Sequence, residues 1–156
     1  MKIQSLNALI YNPIWISYLL HYFLSGATST KNKKVKLELI YLVLPFVYDK
    51  KLMKKLSSSS TRTTFQTLFK DAELKNSLIR MDQKISSFQH TTNKSFVMIG
   101  SKVSVSSGAY LHTSEILDYK KAEGGLKEYY KAAYNLGAIF GKEDYREIFL
   151  KVGALA

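Results

Sequence analysis

The sequence predicts a mainly α-helical protein with a winged-helix-like core and one small β-hairpin. Apolar residues recur at helical spacing over most of the 156 residues, and a Gly-ended turn separates two short apolar runs. Hydrophobic residues make up 46% of the chain, enough for one folded domain of this length. We divide that single domain, 1–156, into an apolar amino-terminal helix (1–26), the winged-helix-like core (35–112) and a carboxy-terminal helix pair (125–156).

The first helix is predicted to begin at Asn12 and Pro13 and to end near Ser25 and Gly26. Asn is a good capping residue, and Pro at the first helical position loses no N–H group that the helix needs. The helix is apolar nearly all round, so we expect its own domain or a partner subunit to cover it on more than one side. The predicted partner-binding residues of this helix and of the carboxy-terminal pair are Trp15, Tyr18, Leu19, Tyr22, Phe23, Tyr129, Tyr130 and Tyr134.

Two further segments, one before and one after residues 49–70, are also predicted to be helical. Residues 35–48 fit a helix or a buried strand by pattern alone, and we favour a helix that ends near Pro45. Residues 72–100 repeat apolar side chains at helical spacing, with a break expected at 91–93 that divides them into two helices. The core is therefore expected to be built from consecutive short helices.

A helix-turn-helix is predicted between these segments. Asp49 should cap a basic helix that runs through Leu56, and the serines at 57–60 should end it. Thr63 and Gln66 have the spacing of a capping box, which predicts a second helix directly after the serine turn. The hairpin around Gly108 follows later in the chain, and a hairpin after a helix-turn-helix resembles the wing of a winged helix.

Positive charge is the strongest compositional signal. The chain has a formal net charge of +11. Between positions 31 and 62 there are nine basic residues and only two acidic ones. Such a concentration favours a polyanionic partner and salt-sensitive binding, although a solvated face is an alternative interpretation. We predict contact with the backbone of double-stranded DNA, without sequence selection, by Lys31, Lys33, Lys34, Lys36, Lys50, Lys51, Lys54, Lys55, Arg62 and Thr63.

Catalytic and metal-binding motifs are missing from the sequence. There is no cysteine, and His21, His90 and His112 lie far apart without a metal-ligand spacing. The eight glycines form no phosphate-binding loop, and no Gly-x-Ser-x-Gly elbow or paired carboxylates are present. We therefore expect no catalytic residues, no metal, no cofactor and no enzymatic activity from this chain alone.

The order of landmarks resembles the middle component of bacterial three-component ABC-ATPase (ABC-3C) systems, a group similar to the small subunit of Lamassu-type anti-phage defence. The landmarks span nearly the whole chain. They are Asn12 and Pro13, Leu44 and Pro45 with Lys50 after them, Thr63 and Thr64 before Phe65 and Leu68, Gly108, Ala133, Leu136, Gly137 and Phe140, and then Ile148, Val152 and Gly153.

This resemblance implies a structural role in a larger complex. The implied partners are an SMC- or Rad50-like ATPase subunit and an effector subunit, often a nuclease, that the small chain helps to hold inactive. Recognition of foreign DNA would then release the effector. The absence of cysteine favours a reducing cytoplasm, and the apolar runs are too short for a membrane span.

Two other classes of protein remain open. A free-standing winged-helix DNA-binding regulator would be a homodimer with specific DNA sites, and the over-apolar first helix argues against it. A secreted or membrane-surface cationic protein would require cleavage or burial of the amino-terminal helix, which loosely resembles a signal peptide.

Overall fold

The computed structural model describes residues 8–153 and confirms the mainly α fold class. Four further turns are 3-10 helical: Leu37–Leu42, Gly100–Lys102, Tyr119–Lys121 and Gly124–Leu126. The strands are β1 (Val35–Lys36), β2 (Val103–Ser106) and β3 (Tyr110–Thr113). The helices are α1 (Pro13–Thr28), α2 (Val43–Val47), α3 (Lys50–Ser58), α4 (Phe65–Leu68), α5 (Ala72–Asn76), α6 (Met81–Met98), α7 (Lys127–Phe140) and α8 (Tyr145–Val152).

Helix α1 begins as predicted. The Asn12 side chain accepts hydrogen bonds from the N–H groups of Ile14, at 2.9 Å, and Trp15, at 3.4 Å, and Pro13 occupies the first turn. The helix continues to Thr28, beyond the predicted end at Ser25 and Gly26. Gly26 does not end the helix because it lies at a helix crossing, where the small residue is needed for close approach.

That crossing joins α1 to α7 at the centre of the core. A Cβ atom on Gly26 would lie 1.9 Å from the backbone oxygen of Tyr134, and one on Gly137 would lie 1.9 Å from that of Phe23. The two backbones are therefore in direct contact, and only glycine fits at either position. Phe23 and Phe140 pack edge to face beside the crossing, with ring centroids 6.0 Å apart.

The prediction of one helix over residues 35–48 is wrong in its details. Val35 and Lys36 form β1, a 3-10 helix follows, and α2 begins only at Val43. Pro45 lies inside α2 and is buried; its missing N–H costs nothing there because the first turn of a helix has no partner for that group. The apolar run is buried in the core, but its backbone is a 3-10 helix followed by a short α-helix.

The basic helix α3 is confirmed, with Asp49 accepting the N–H groups of Lys51 and Leu52 at 3.1 Å. The helix after the serine turn differs from its prediction. Its capping residue is Thr64, which accepts the N–H of Thr67 at 3.2 Å, rather than Thr63. Helix α4 is also a single turn, so the predicted helix-turn-helix lacks a second helix of the usual length.

Residues 72–100 form two helices, but the break lies earlier than predicted. It falls between α5 and α6, where Arg80 takes a left-handed conformation with φ of 61°. Residues 91–93 are helical, since Ser95 donates a hydrogen bond to the Thr91 carbonyl at 2.7 Å and Thr92 is buried. Short polar side chains thus stay in the helix when its buried face accommodates them.

The predicted hairpin is confirmed and belongs to a three-stranded antiparallel sheet in the order β1-β3-β2. Gly108 supplies the positive φ of its turn, at 84°. Strand β1 was not predicted; Val35 pairs with Leu111 and Lys36 with Tyr110. Strand β1, before α2, and the hairpin strands, after α6, thus meet in one sheet. The winged-helix assignment stays a prediction.

The carboxy-terminal helix pair is confirmed as α7 and α8. Gly124 has a φ of 78° at the predicted hinge, and Gly153 ends α8 with a φ of 67°. Within residues 8–153, none of the helices combines the length and the apolar composition needed to span a bilayer.

A buried polar network ties α1 to the end of the sheet. His21 Nε2 lies 2.8 Å from the carbonyl oxygen of Glu115 and 3.2 Å from Thr113 Oγ1. Thr113 Oγ1 in turn donates toward the Lys102 carbonyl, and Lys102 Nζ pairs with the Glu115 carboxylate at 3.0 Å. Burial is the main cause that lowers the pKa of His21 below its ordinary value of 6.5.

We expect this histidine to make stability depend on pH. The unfolded chain protonates His21 near pH 6.5, whereas the folded chain resists it, so the free energy of unfolding falls as pH drops below about 6.5. Urea unfolding at about pH 7.5 and about pH 5.5 should show this loss in the native chain and a smaller one in His21→Gln. The exposed His90→Gln is the control; an equal pH dependence in all three proteins would contradict the assignment.

Candidate nucleic-acid interface

The basic residues predicted to contact DNA lie on the surface. Eight of the ten are exposed, while Lys36 and Thr63 are half-buried. The contacts that they make with the rest of the chain divide them into three places. We call Lys31, Lys33, Lys34 and Lys36 the loop cluster, and Lys50, Lys51, Lys54 and Lys55 the helix cluster.

The loop cluster packs against the sheet and the start of α8. Lys34 Nζ lies 4.4 Å from the ring centroid of Tyr110, and Lys36 Nζ lies 5.1 Å from the same centroid and 5.0 Å from that of Tyr145. Lys36 also donates a hydrogen bond to the carbonyl of Gly108. Lys36 therefore holds the hairpin turn, and Lys31, Lys33 and Lys34 are the more accessible cations of this cluster.

The helix cluster occupies the outer face of α3. The opposite face buries Leu52, Met53 and Leu56 against the core, so the lysines point to solvent. The closest carboxylate to Lys51 is that of Glu73, 4.0 Å away, and both side chains are more than 60% exposed. A contact of this kind contributes little in water, which leaves the charge of α3 available to a polyanion.

Arg62 and Thr63 lie at a third place, beside the corner between α7 and α8. Lys142 Nζ donates to the carbonyls of Thr61 and Thr63, the latter at 2.8 Å, and burial lowers the pKa of Lys142. The same corner contacts the loop cluster segment, because Asn32 Nδ2 donates to the Gly141 carbonyl at 3.1 Å. The corner thus lies between the loop cluster and Arg62.

Sequence reasoning missed a set of lysines around the start of α7. Lys127 and Lys131 are four residues apart and so lie on one side of the helix, next to Lys54 and the serine turn. Their spacing is visible in the sequence, but their proximity to α3 depends on how the two helices pack. The basic surface therefore includes residues from both halves of the chain.

Four of the eight predicted partner-binding side chains belong to the chain's own core. Trp15, Leu19 and Phe23 are at most 4% exposed, and Tyr22 is 8% exposed. Tyr22 stacks on Tyr130 with ring centroids 4.6 Å apart. These residues face α7 or the other core elements, and they are not available as a free surface.

Of the eight predicted partner-binding residues, Tyr18 is the one whose side chain is exposed to solvent. It is 51% exposed, and Tyr11 and Ile14 are exposed to a similar extent at helical spacing before it. Tyr129, Tyr130 and Tyr134 are half-buried. Burial raises the pKa of Tyr129 and Tyr130 above the ordinary value for a phenol.

Residues 8–153 contain no group of three or more His, Asp or Glu side chains that is placed to hold a metal ion. His21 is engaged in the buried network, and the three places described above consist of lysine, arginine and hydroxyl groups. The chemistry that these surfaces offer is electrostatic attraction and hydrogen bonding to anions.

A small, basic, mainly helical chain with this arrangement has the features of a subunit that binds other macromolecules. A family model described as ABC-three component (ABC-3C) system Middle Component 3 matches residues 1–153, so the chain belongs to this family of middle components. It therefore works with the other components of an ABC three-component system. No curated protein and no solved structure gives a significant match.

Proposed function

We propose that this chain is a non-catalytic accessory subunit of an anti-phage defence complex, in which it joins an SMC- or Rad50-like ATPase to an effector nuclease and contacts the DNA backbone. The family match over residues 1–153 carries this proposal. The resemblance to the Lamassu small subunit supplies the kind of ATPase and effector. A complex of this kind would act in the cytoplasm.

Contact with DNA is supported by the charge of the surface. Among the described residues of the loop cluster, the helix cluster and Arg62, Lys51 alone has a carboxylate within 4.0 Å, that of Glu73. Cations of this kind release counterions from the phosphate backbone, so affinity should fall steeply with salt and depend little on sequence.

Assembly is the direct test of the subunit role. We expect the chain, co-expressed with the ATPase and the effector encoded beside it, to elute with both at one size. Tyr18→Glu should reduce co-elution, because a charge on the exposed side of α1 disfavours an apolar contact. Gln89→Glu, which places the same charge on an exposed position of α6, is the matched control. A chain that elutes alone under all conditions would contradict the proposal.

A free-standing winged-helix regulator is the alternative function. The three-stranded sheet, with β1 before α2 and the hairpin after α6, is the observation in its favour. The single-turn α4 argues against it, because a helix of four residues presents few side chains to base edges. A homodimer that selects one duplex sequence over all others would favour the regulator.

A further inference from the structure

A groove of about 640 Å³ lies between the serine turn, residues 116–120 and the middle of α7. A second, more open hollow of about 730 Å³ adjoins it along the first turns of α7 and the end of α3. Lys131 lines both. The two hollows share this lysine, and we call them together the α7 groove.

The α7 groove is lined by more cations than anions. Lys54, Lys120, Lys127 and Lys131 contribute to its walls. In the part of the chain that the structure describes, none of these four lysines forms an ion pair. The carboxylates of the groove are those of Asp118, which accepts the N–H of Lys120, and Glu128, which accepts from Ser57 Oγ. The groove therefore attracts a polyanion.

Aromatic rings occur beside these lysines. Tyr119 and Tyr134 both line the groove, with ring centroids 5.3 Å apart and planes at 62°. Both residues are half-buried, so part of each side chain is accessible to solvent. Ile116, 49% exposed, adds apolar surface next to them. Rings next to cations offer a surface on which flat, unpaired bases stack.

The wall opposite α7 is held in place by a buried side chain. Asn135 is 1% exposed, and its Nδ2 donates to the carbonyls of Leu56, at 2.8 Å, and Ser59, at 3.0 Å. Ser60 Oγ accepts the N–H of Arg62, which leaves the Ser60 hydroxyl group to donate. The serine turn is thus ordered before any ligand binds, which lowers the entropic cost of binding.

We infer that the α7 groove binds a short stretch of single-stranded nucleic acid, with the lysines along its phosphates and an unpaired base against the paired rings of Tyr119 and Tyr134. Duplex DNA keeps the faces of its bases inside the stack, so it cannot use the tyrosines. The inference rests on the nucleic-acid contact of the proposed function and assigns to it a second site, which adjoins the helix cluster at Lys54 and is distinct from the loop cluster.

The test is fluorescence anisotropy of the full-length chain with a labelled oligothymidine of about 12 nucleotides. Lys127→Gln with Lys131→Gln should weaken binding about tenfold, because two phosphate contacts are lost. The control is Lys94→Gln with Lys151→Gln, two exposed lysines outside the groove, and it should bind as the native chain does. Thermal melting of both double variants is the check that they are folded.

Substitution of the two tyrosines distinguishes base stacking from charge attraction. Tyr119→Leu should weaken oligothymidine binding about tenfold and leave duplex binding unchanged. If Tyr134→Leu is also folded, it should behave in the same way. A poly-glutamate peptide should compete poorly, since it carries charge without bases.

Three results would overturn the inference: equal affinity of the groove and control variants, displacement of the oligonucleotide by poly-glutamate, or an oligothymidine affinity indifferent to Tyr119. If any of these occurs while duplex binding still depends on the helix cluster, the groove inference fails and the proposed function stands.

Discussion

Gly137→Ala is expected to lower the free energy of unfolding by about 3 kcal/mol or more. The added Cβ would lie 1.9 Å from the backbone oxygen of Phe23, and backbone atoms of α1 must move to relieve the overlap. Such a movement separates α1 from α7 along the centre of the core. The midpoint of thermal unfolding should fall by about 6–12 °C for a chain of this size.

The matched control is Gly100→Ala. A Cβ at Gly100 meets no atom within 4 Å, so this change should alter the unfolding free energy by less than about 1 kcal/mol. Gly26→Ala should behave like Gly137→Ala, because its Cβ would meet the Tyr134 backbone oxygen at the same distance. Urea unfolding of all three variants measures the difference. A Gly137→Ala protein as stable as the Gly100→Ala protein would show that the helices are not in contact there.

Replacement of Lys50, Lys51, Lys54 and Lys55 together by Glu is expected to reduce affinity for duplex DNA by about a hundredfold or more. Four attractive charges become four repulsive ones on the exposed face of α3. The helix itself should persist, because its buried face of Leu52, Met53 and Leu56 is unchanged. The complex with the ATPase should therefore still assemble.

A matched variant carries the same change of charge elsewhere. Lys70, Lys75, Lys94 and Lys151 are exposed, lie outside the helix cluster, and can all be changed to Glu. Duplex binding, measured by anisotropy at two salt concentrations, should be weaker in the helix-cluster variant than in this control. Equal affinities would remove the helix cluster from DNA binding and leave only the net charge of the chain.

Where a helix begins or a turn forms because of residues close by in the chain, the sequence was sufficient to predict it. Asn12 with Pro13, and Asp49 before the basic helix, are caps whose effect lies within three residues. The turn at Gly108 is likewise local, because it needs only a residue that adopts a positive φ. These elements could be placed without knowledge of the tertiary structure.

The elements that sequence reasoning missed depend on residues far away in the chain. Strand β1 exists because Val35 pairs with Leu111, and nothing near Val35 indicates that partner. The break at Arg80 could not be predicted either, because Arg rarely takes a left-handed conformation and no glycine marks the position. Non-local pairing thus decided the backbone conformation where the local pattern was ambiguous.

The candidate site was predicted in its chemistry more fully than in its geometry. Charge density identified the lysines of α3, because a basic run is a property of the sequence. It did not identify Lys131, which joins the same surface only through the packing of α7 on α3. Aromatic periodicity on α1 was ambiguous between core and interface, and burial of Trp15 and Phe23 places them in the core.

The subunit role is tested most directly by the nuclease activity of the reconstituted complex, measured with and without this chain. If the proposed function holds, the effector mixed with the ATPase but without this chain should be more active and should no longer respond to DNA, and the chain alone should cleave no DNA and hydrolyse no ATP. An effector whose activity and DNA response are the same in its absence, or turnover by the isolated chain, would contradict the account.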